Sequence, residues 1–528
     1  MLLLIFVFPF VIYANSFQNN FLAGDDQNII LNNSYLKDWK YFGKFFTENY
    51  IAGSGLISNY WRPFQLIVYS LIVHIFGFNP VVFHLSSILL HSLCGVLIFI
   101  IFLKLFRGKS SFGMIAALVL VWLAHPIHNE ELSVTTGIAS PAYLFWILMG
   151  LLTFLIFQEQ NKRRWYIISL ISFVFALSSK EGSIVFPGLL LGMHITCVKA
   201  GLSSKIRLKG YIYRHLAFWL IALFYGISRL SFLKFGNTLN FYNESNVFTQ
   251  HLAYRFYTLL TVLASGLRII FMPMGLHPER SWPVFTGFIS PEVISSFLIL
   301  TATVILAFIS WKKNPLFSFG LFWFFFSYIP MSNIVSQINS LMCDHWFYLP
   351  SVGVLLSVTA LSVEMTGVYY RRSAVILLVL AALIFGGITY LRNPHWKDTE
   401  AISRYILTYE PGSARVWNNL AMSLSDRGEK DKAVKCFLKA ISIYDVYPQT
   451  HHNLANIYFD SGEYGLAEKE FLRAIELDSK FFYSYLGLGK LYLSEGDRGK
   501  AAYCFKLARQ IYPYLSQETL NFIESIDK

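Results

Sequence analysis

Apolar runs of about 17–25 residues recur from Met1 to Tyr390, each long enough to cross a bilayer as a helix. Inside hydrocarbon a backbone has no water to bond, so such runs must close their own hydrogen bonds as helices. Of the 528 residues 55% are hydrophobic and 14% charged, against a charged share of about 25% in soluble proteins. The expected fold is therefore all-α, a polytopic membrane helical bundle. The first run, "MLLLIFVFPFVIYA", has no basic flank and no A-x-A-like cleavage site, and reads as a short, uncleaved first span rather than a signal peptide. The five cysteines, Cys94, Cys197, Cys343, Cys436 and Cys504, form no CxxC pair and so point to neither a disulfide framework nor a zinc site. In such a chain the net charge of +12 reads as basic residues in cytoplasmic loops, not as a nucleic-acid surface.

The loops carry that charge in five clusters: Lys104/Arg107/Lys109, Lys162/Arg163/Arg164, Lys199/Lys205/Arg207/Lys209/Arg214, Lys312/Lys313 and Arg371/Arg372. Placing all five inside requires an even number of crossings between neighbours. Segments 112–124 with 141–157, 165–178 with 182–198, 215–232 with 289–310, and 315–333 with 346–364 satisfy this. An apolar helix near 251–271 is then one too many, and carries Arg255 and Arg268, so it is expected to be re-entrant or to lie on the surface. The short segment 63–78 is expected to be an interfacial helix for the same reason. The count becomes eleven crossings, with the N-terminus cytoplasmic and the C-terminal region outside. On this topology "GDDQ", "WRPF", "HPIHNEE", "SKEG", "HPERSWP" and "CDHWFYLPS" all reach one face. Random decoration would not gather nearly every polar cluster of the first 390 residues at one membrane surface.

From about Ala414 the chain turns charged and repeats itself at a period of about 34 residues. Trp417/His451/Tyr485, Leu420/Leu454/Leu488, Ala421/Ala455/Gly489 and Leu424/Tyr458/Tyr492 fall in register, as do Gly428/Gly462/Gly496, Ala433/Ala467/Ala501, Phe437/Phe471/Phe505 and Ala440/Ala474/Ala508. Small residues let paired helices approach and large ones fill between them, which is the tetratricopeptide pattern, with Pro513 closing the third unit. The domains are expected at 1–393, a transmembrane bundle, and 394–528, an extracytoplasmic solenoid with repeats at about 414–447, 448–481 and 482–515. Residues 394–411 should supply a leading helix. Such solenoids present concave surfaces to peptides.

The polar clusters carry the candidate chemistry. Asp25 and Asp26 are adjacent carboxylates about ten residues beyond the first run, where a lipid-linked head group would sit. One can serve as general base on a hydroxyl, its pKa raised by its neighbour; as hard oxygen ligands the two could instead hold a divalent cation against a phosphate. A solvated loop, or an N-cap for a helix at 27–37, is the plainer reading. Arg62 suits a phosphate by its guanidinium fork, or snorkels at the interface. Lys180 and Glu181 make either an internal ion pair or a phosphate contact. His125, His128 and Glu130 have metal-like spacing, but Pro126 keeps them off one helix face, so a hydrogen-bonded turn or support of the aspartates is favoured. Asp344 and His345 stand before a span, as anchors or as acceptor or phosphate contacts.

In order along the chain, the "DD" pair, "YWRPF" at 60–64, "FHLSSILLH" at 83–91, "HPIHNEELS" at 125–133, "SKEGSIVFP" at 179–187 and "DHWFYLPSVG" at 344–353 resemble the transmembrane and tetratricopeptide-containing O-mannosyltransferases. That family lies within the GT-C glycosyltransferase superfamily. The resemblance implies a membrane enzyme that moves a sugar from a polyprenyl-phosphate donor to an acceptor hydroxyl on the outer face. It implies Asp25 or Asp26 as the acidic catalytic group, and a protein or peptide acceptor met by the repeats.

Two functions from different classes follow. The first is an inverting glycosyltransferase in a bacterial inner membrane, with its repeats in the periplasm (in the endoplasmic-reticulum lumen if eukaryotic). The second is a non-catalytic membrane scaffold whose repeats dock extracytoplasmic partners. A transporter fits less well, because the polar residues gather at one face rather than at the mid-plane. Convergence of Asp25/Asp26, Arg62 and Lys180 on one site separates enzyme from scaffold. The topology has its own test. A reporter active only in the cytoplasm, fused after Lys528, is expected to stay silent; strong signal would overturn the one-face arrangement.

Overall fold

The computed structural model describes all residues except 108–111, 203–207, 234–246, 336, 339, 366–370 and 513–528. Pro513, Lys109, Lys205 and Arg207 thus lie outside the described residues. The described residues form helices and turns with no strand, in two units, Met1–Lys397 and Asp398–Lys528.

In the first unit seven helices are long and apolar enough to cross a membrane: Pro80–Leu105, Ala139–Gln160, Glu181–Lys199, Leu252–Phe271, Pro291–Ser310, Asp344–Met365 and Arg371–Trp396. The bent pair Phe112–Leu123 and Pro126–Ser133 makes an eighth if it is one span. Length and composition therefore support seven or eight crossings among the described residues, fewer than eleven. The difference has a geometric cause. Leu2–Ile12, Arg163–Ser179 and Pro315–Tyr328 have 11, 17 and 14 residues; at about 1.5 Å per residue these fall short of a hydrocarbon core of about 30 Å. Conversely Leu252–Phe271 is one unbroken helix of 20 residues, without the bend a re-entrant element needs.

Small residues set the closest helix crossing. A Cβ on Gly320 would stand 2.4 Å from the Gly353 carbonyl oxygen, and one on Gly353 would stand 2.5 Å from that of Gly320. Pro315–Tyr328 and Tyr348–Met365 therefore pack backbone to backbone, as helices in lipid do when side chains are absent.

Three distant stretches meet at Asn393. Its Nδ2 donates to the Ile12 carbonyl (3.0 Å) and to Asn15 Oδ1 (2.6 Å), while its Oδ1 accepts from Asn129 Nδ2 and from Ser133 Oγ (3.2 Å). Asn19 Nδ2 donates to the Ser133 and Asn393 carbonyls, and the Asn20 N–H donates to the Lys397 carbonyl (2.9 Å). Trp396 Nε1 closes the set on Asn129 Oδ1 (2.7 Å). The network ties the end of the first helix to the end of the last one, and fixes where residues 19–26 begin.

Residues 14–62 are folded rather than extended. A single π-helical turn, Gln27–Leu31, and the short helices Ser34–Lys37, Trp39–Tyr41 and Lys44–Thr47 replace the continuous helix expected over 27–37. Ile30, Leu36, Phe45, Tyr50 and Ile51 pack on Leu66, Tyr69 and Ile72 of the Pro63–Phe76 helix.

The second unit begins with Thr399–Leu407 and continues as three helix pairs: Ala414–Asp426 with Lys430–Ile443, Pro448–Asp460 with Tyr464–Leu477, and Phe482–Ser494 with Arg498–Ile511. Gly428, Gly462 and Gly496 each follow a first helix at φ of 78°, 78° and 83°, a conformation that favours glycine. Ala433, Ala467 and Ala501 are fully buried at the helix crossings. In the second repeat His451 lies between two carboxylates: Nδ1 meets Glu470 Oε2 (2.6 Å), Nε2 meets Asp445 Oδ1, and Arg473 holds the other Asp445 oxygen (2.9 Å). Burial opposes the imidazolium charge, but Glu470 and Asp445 outweigh it and raise the pKa above 6.5. A raised histidine pKa gives stability that is complete below the unfolded value of about 6.5 and is lost as pH rises through the folded value. The stability difference between the intact protein and its His451→Gln variant should therefore be full below about pH 6.5 and shrink as pH rises above it, as read by denaturant unfolding of the repeat unit. A pH-independent difference would contradict the charged bridge.

Candidate active site

The two aspartates divide at Gly24, which turns the chain at φ of 93°. Asp25 is exposed and has no hydrogen-bond or ion-pair partner among the described residues. Asp26 is only 1% exposed. Its Oδ2 accepts from the Leu22 N–H and its Oδ1 from Thr136 Oγ1, both at 2.7 Å. The Thr136 carbonyl in turn accepts from the Tyr69 hydroxyl (2.9 Å). Asp26 thus latches the loop to the turn after Ser133 and to the Pro63–Phe76 helix, and its side chain bonds backward to Leu22 rather than capping Gln27–Leu31. Burial raises the Asp26 carboxyl pKa, against the bonds from Leu22 and Thr136, and the Asp25 charge adds a smaller push the same way.

Next to this latch stands a set of buried charges. Arg62 precedes Pro63, whose fixed φ opens the helix and leaves Arg62 outside it, at φ −138° and ψ 61°. Its Nε and Nη2 donate to Glu181 Oε2 at 3.2 and 3.0 Å. The guanidinium lies 4.4 Å from the Tyr60 ring centre and 5.6 Å from that of Tyr50. The same two phenols lie within range of the Asp25 charge.

Lys180 and Glu181 do not pair with each other. Lys180 ends the Arg163–Ser179 helix in extended backbone, φ −158° and ψ 138°, where successive side chains point apart. Its Nζ donates to Ser140 Oγ (2.8 Å) and lies 3.5 Å from Glu131 Oε1, which accepts from the same Ser140 hydroxyl (2.6 Å). Burial lowers the Lys180 pKa below the usual lysine range, with Glu131 opposing. Arg62–Glu181 and Lys180–Glu131 therefore form two neighbouring ion pairs that cross the sequence.

His345 Nδ1 meets Glu130 Oε1 at 2.8 Å and lies within range of the charges on Glu131 and Lys180. The structure so gathers Asp25, Arg62, Lys180, Glu181, Glu130 and His345 into one region and leaves three candidates apart. Asp344 is engaged by Arg280, Nε to Oδ1 at 2.7 Å and Nη2 to Oδ2 at 3.0 Å, and accepts from the His277 N–H (3.0 Å). His125 accepts at Nδ1 from the Ile127 N–H and donates from Nε2 to the Ile270 carbonyl, closing a turn. His128 is fully buried among the rings of His91, Trp122 and Tyr348. Among the described residues no three His, Cys, Asp or Glu side chains converge as a metal site. Each Asp26 oxygen accepts one bond from a protein donor and keeps a second lone pair. Sequence reasoning missed Glu131, Ser140, Tyr50, Tyr60 and Arg280. Glu131 and Tyr60 lie inside quoted motifs, but nothing in a linear sequence shows which glutamate of "NEE" meets Lys180.

Residues 63–225 match the family model described as dolichyl-phosphate-mannose-protein mannosyltransferase. Residues 414–446 and 455–496 match tetratricopeptide models. The chain is 24% identical to human protein O-mannosyl-transferase TMTC4, over 81% of this chain and 64% of that protein. Over most of its length it resembles the protein O-mannosyl-transferases. Protein O-mannosyl-transferase F38B6.6 of Caenorhabditis elegans is 22% identical over 80% of this chain and 60% of its own length. For human protein O-mannosyl-transferase TMTC1 the figures are 22%, 82% and 54%. The chain thus spans less than two thirds of the length of these relatives.

The Arg280–Asp344 pair has side chains 8% and 4% exposed. Removing one partner of such a pair strands the other charge, at a cost of about 3–5 kcal/mol. Arg280→Gln is expected to lower the melting temperature in detergent clearly; an unchanged melt would show that the pair contributes nothing.

Proposed function

We propose that this chain is an inverting glycosyltransferase that moves a mannose-like sugar from a polyprenyl-phosphate carrier to a hydroxyl group on a protein, at the extracytoplasmic face of its membrane. The observation that carries this reading is the division of labour at "DD": one carboxylate is anchored, and its neighbour is exposed, within range of the Tyr50 and Tyr60 rings that flank Arg62. The acceptor oxygen attacks the anomeric carbon and its proton passes to Asp25. The bond from that carbon to the carrier phosphate breaks, and the phosphate leaves with the electron pair. Arg62 and Lys180 neutralise the charge that grows on it, in a region where burial strengthens their effect. Asp26, through Thr136, keeps Asp25 in place. The repeats recruit the protein acceptor at that face, in a periplasm or an endoplasmic-reticulum lumen.

The test is sugar transfer from a mannosyl-phosphoryl-polyprenol to a peptide hydroxyl, with Asp25→Asn and Asp26→Asn measured separately. General-base help is typically worth about 10²–10⁴ in rate. Asp25→Asn should lose roughly that factor with its melting temperature unchanged. Asp26→Asn should melt earlier, because an amide cannot accept at both oxygens. Full activity in Asp25→Asn would remove the base from the scheme and favour a non-catalytic scaffold.

A further inference from the structure

Without a ligand the cations of the site are already matched. Arg62 faces Glu181, and Lys180 faces Glu131. Guanidinium forks recognise carboxylate and phosphate with the same two-point geometry. The Nε–Nη2 edge of Arg62, the edge best suited to a phosphate, is filled by Glu181.

The two carboxylates are not equally held. Glu131 is fixed by both Lys180 and Ser140, with its side chain 8% exposed. Glu181 is 26% exposed and, besides Arg62, meets a long bond (3.4 Å) from the Trp61 N–H and its own backbone N–H. Arg229, whose guanidinium donates to the Asn59 carbonyl, lies within range of the Glu181 charge. A carboxylate leaving Arg62 therefore has a second cation near it.

We propose that Glu181 is an internal stand-in for the donor phosphate, occupying the two-point edge of Arg62 until the carrier phosphate displaces it. The inference rests on the reading above that Arg62 holds that phosphate. An intramolecular competitor acts at an effective concentration of about millimolar or higher. A bare anion has only its charge with which to displace it. A polyprenyl phosphosugar also brings contacts from its lipid and sugar, so it enters where inorganic phosphate does not. Glu181 is in this sense a specificity-determining residue, acting by an unfavourable alternative rather than an added attraction.

The test measures binding of decaprenyl phosphate, and separately of inorganic phosphate, to the full chain in detergent, by thermal shift and by inhibition of transfer. Wild type should bind decaprenyl phosphate and ignore millimolar inorganic phosphate. Glu181→Gln should bind decaprenyl phosphate roughly tenfold tighter or more, and should become sensitive to inorganic phosphate. Arg62→Gln should lose decaprenyl phosphate binding. If Arg62→Gln weakens binding while Glu181→Gln binds both ligands no better than wild type, Glu181 is only a structural counter-ion and the proposal is overturned. If Arg62→Gln binds as wild type does, the phosphate reading itself fails. Should Glu181→Gln not fold, Glu181→Asp carries the test, since its carboxylate is one methylene short of Arg62. It should bind decaprenyl phosphate more tightly than wild type, and equal or weaker binding overturns the proposal.

Discussion

The amide of Asn393 is the joint on which the first unit depends. A buried amide must satisfy two donors and an acceptor, and here it does so by reaching residues near 12–15 and near 129–133 at once. Apolar packing between helices is non-directional and lets neighbours slide or rotate. Hydrogen bonds fix register because they accept only one geometry, and an unmade one leaves a buried polar group at a cost of about 1–3 kcal/mol. With that register fixed, residues 19 and 20 start from a defined point beside Lys397, and the aspartates five residues later inherit it.

The same logic governs the charged region. Lys180 and Glu131 have left water and Arg62 has largely done so, while Glu181 stays 26% exposed; each ion repays its desolvation only if its partner is close and its remaining polar atoms are engaged. The crossed pairing meets both demands. It also binds three sequence-distant pieces, the turn before Pro63, the helix end at Lys180 and the glutamate at 131, into one electrostatic unit.

Much of this was legible in the chain. The solenoid was, almost residue by residue, because eight positions repeat in register and each has one steric meaning: Gly462 turns, Ala467 lets helices touch, Phe471 fills. The helix-forming runs of the bundle were legible too, since hydrocarbon leaves the backbone no alternative. Counting crossings from charge alone was less secure. Parity rules treat every run as in or out, and they set aside 251–271, whose two arginines the structure places on an unbroken helix. Motif residues were found, but their partners were not. Lys180 and Glu181 are adjacent in sequence and belong to different ion pairs because extended backbone points them apart. The partner of Asp344, Arg280, comes from a loop 64 residues earlier, a separation that carries no periodicity to read.

The latch at Asp26 has a kinetic meaning. Loops that close over a ligand must surrender conformational freedom each time they do so, and the encounter waits on that search. Here the segment bearing Asp25 is ordered in advance by Leu22, Thr136 and the packing of Ile30, Tyr50 and Leu66. Its ordering entropy is settled once, when the chain folds, and not again each time a ligand meets it. A ligand reaching this surface meets a finished wall. The wait that sets the pace then belongs to the arriving molecule, to how fast it diffuses and orients, rather than to any rearrangement of the first sixty residues.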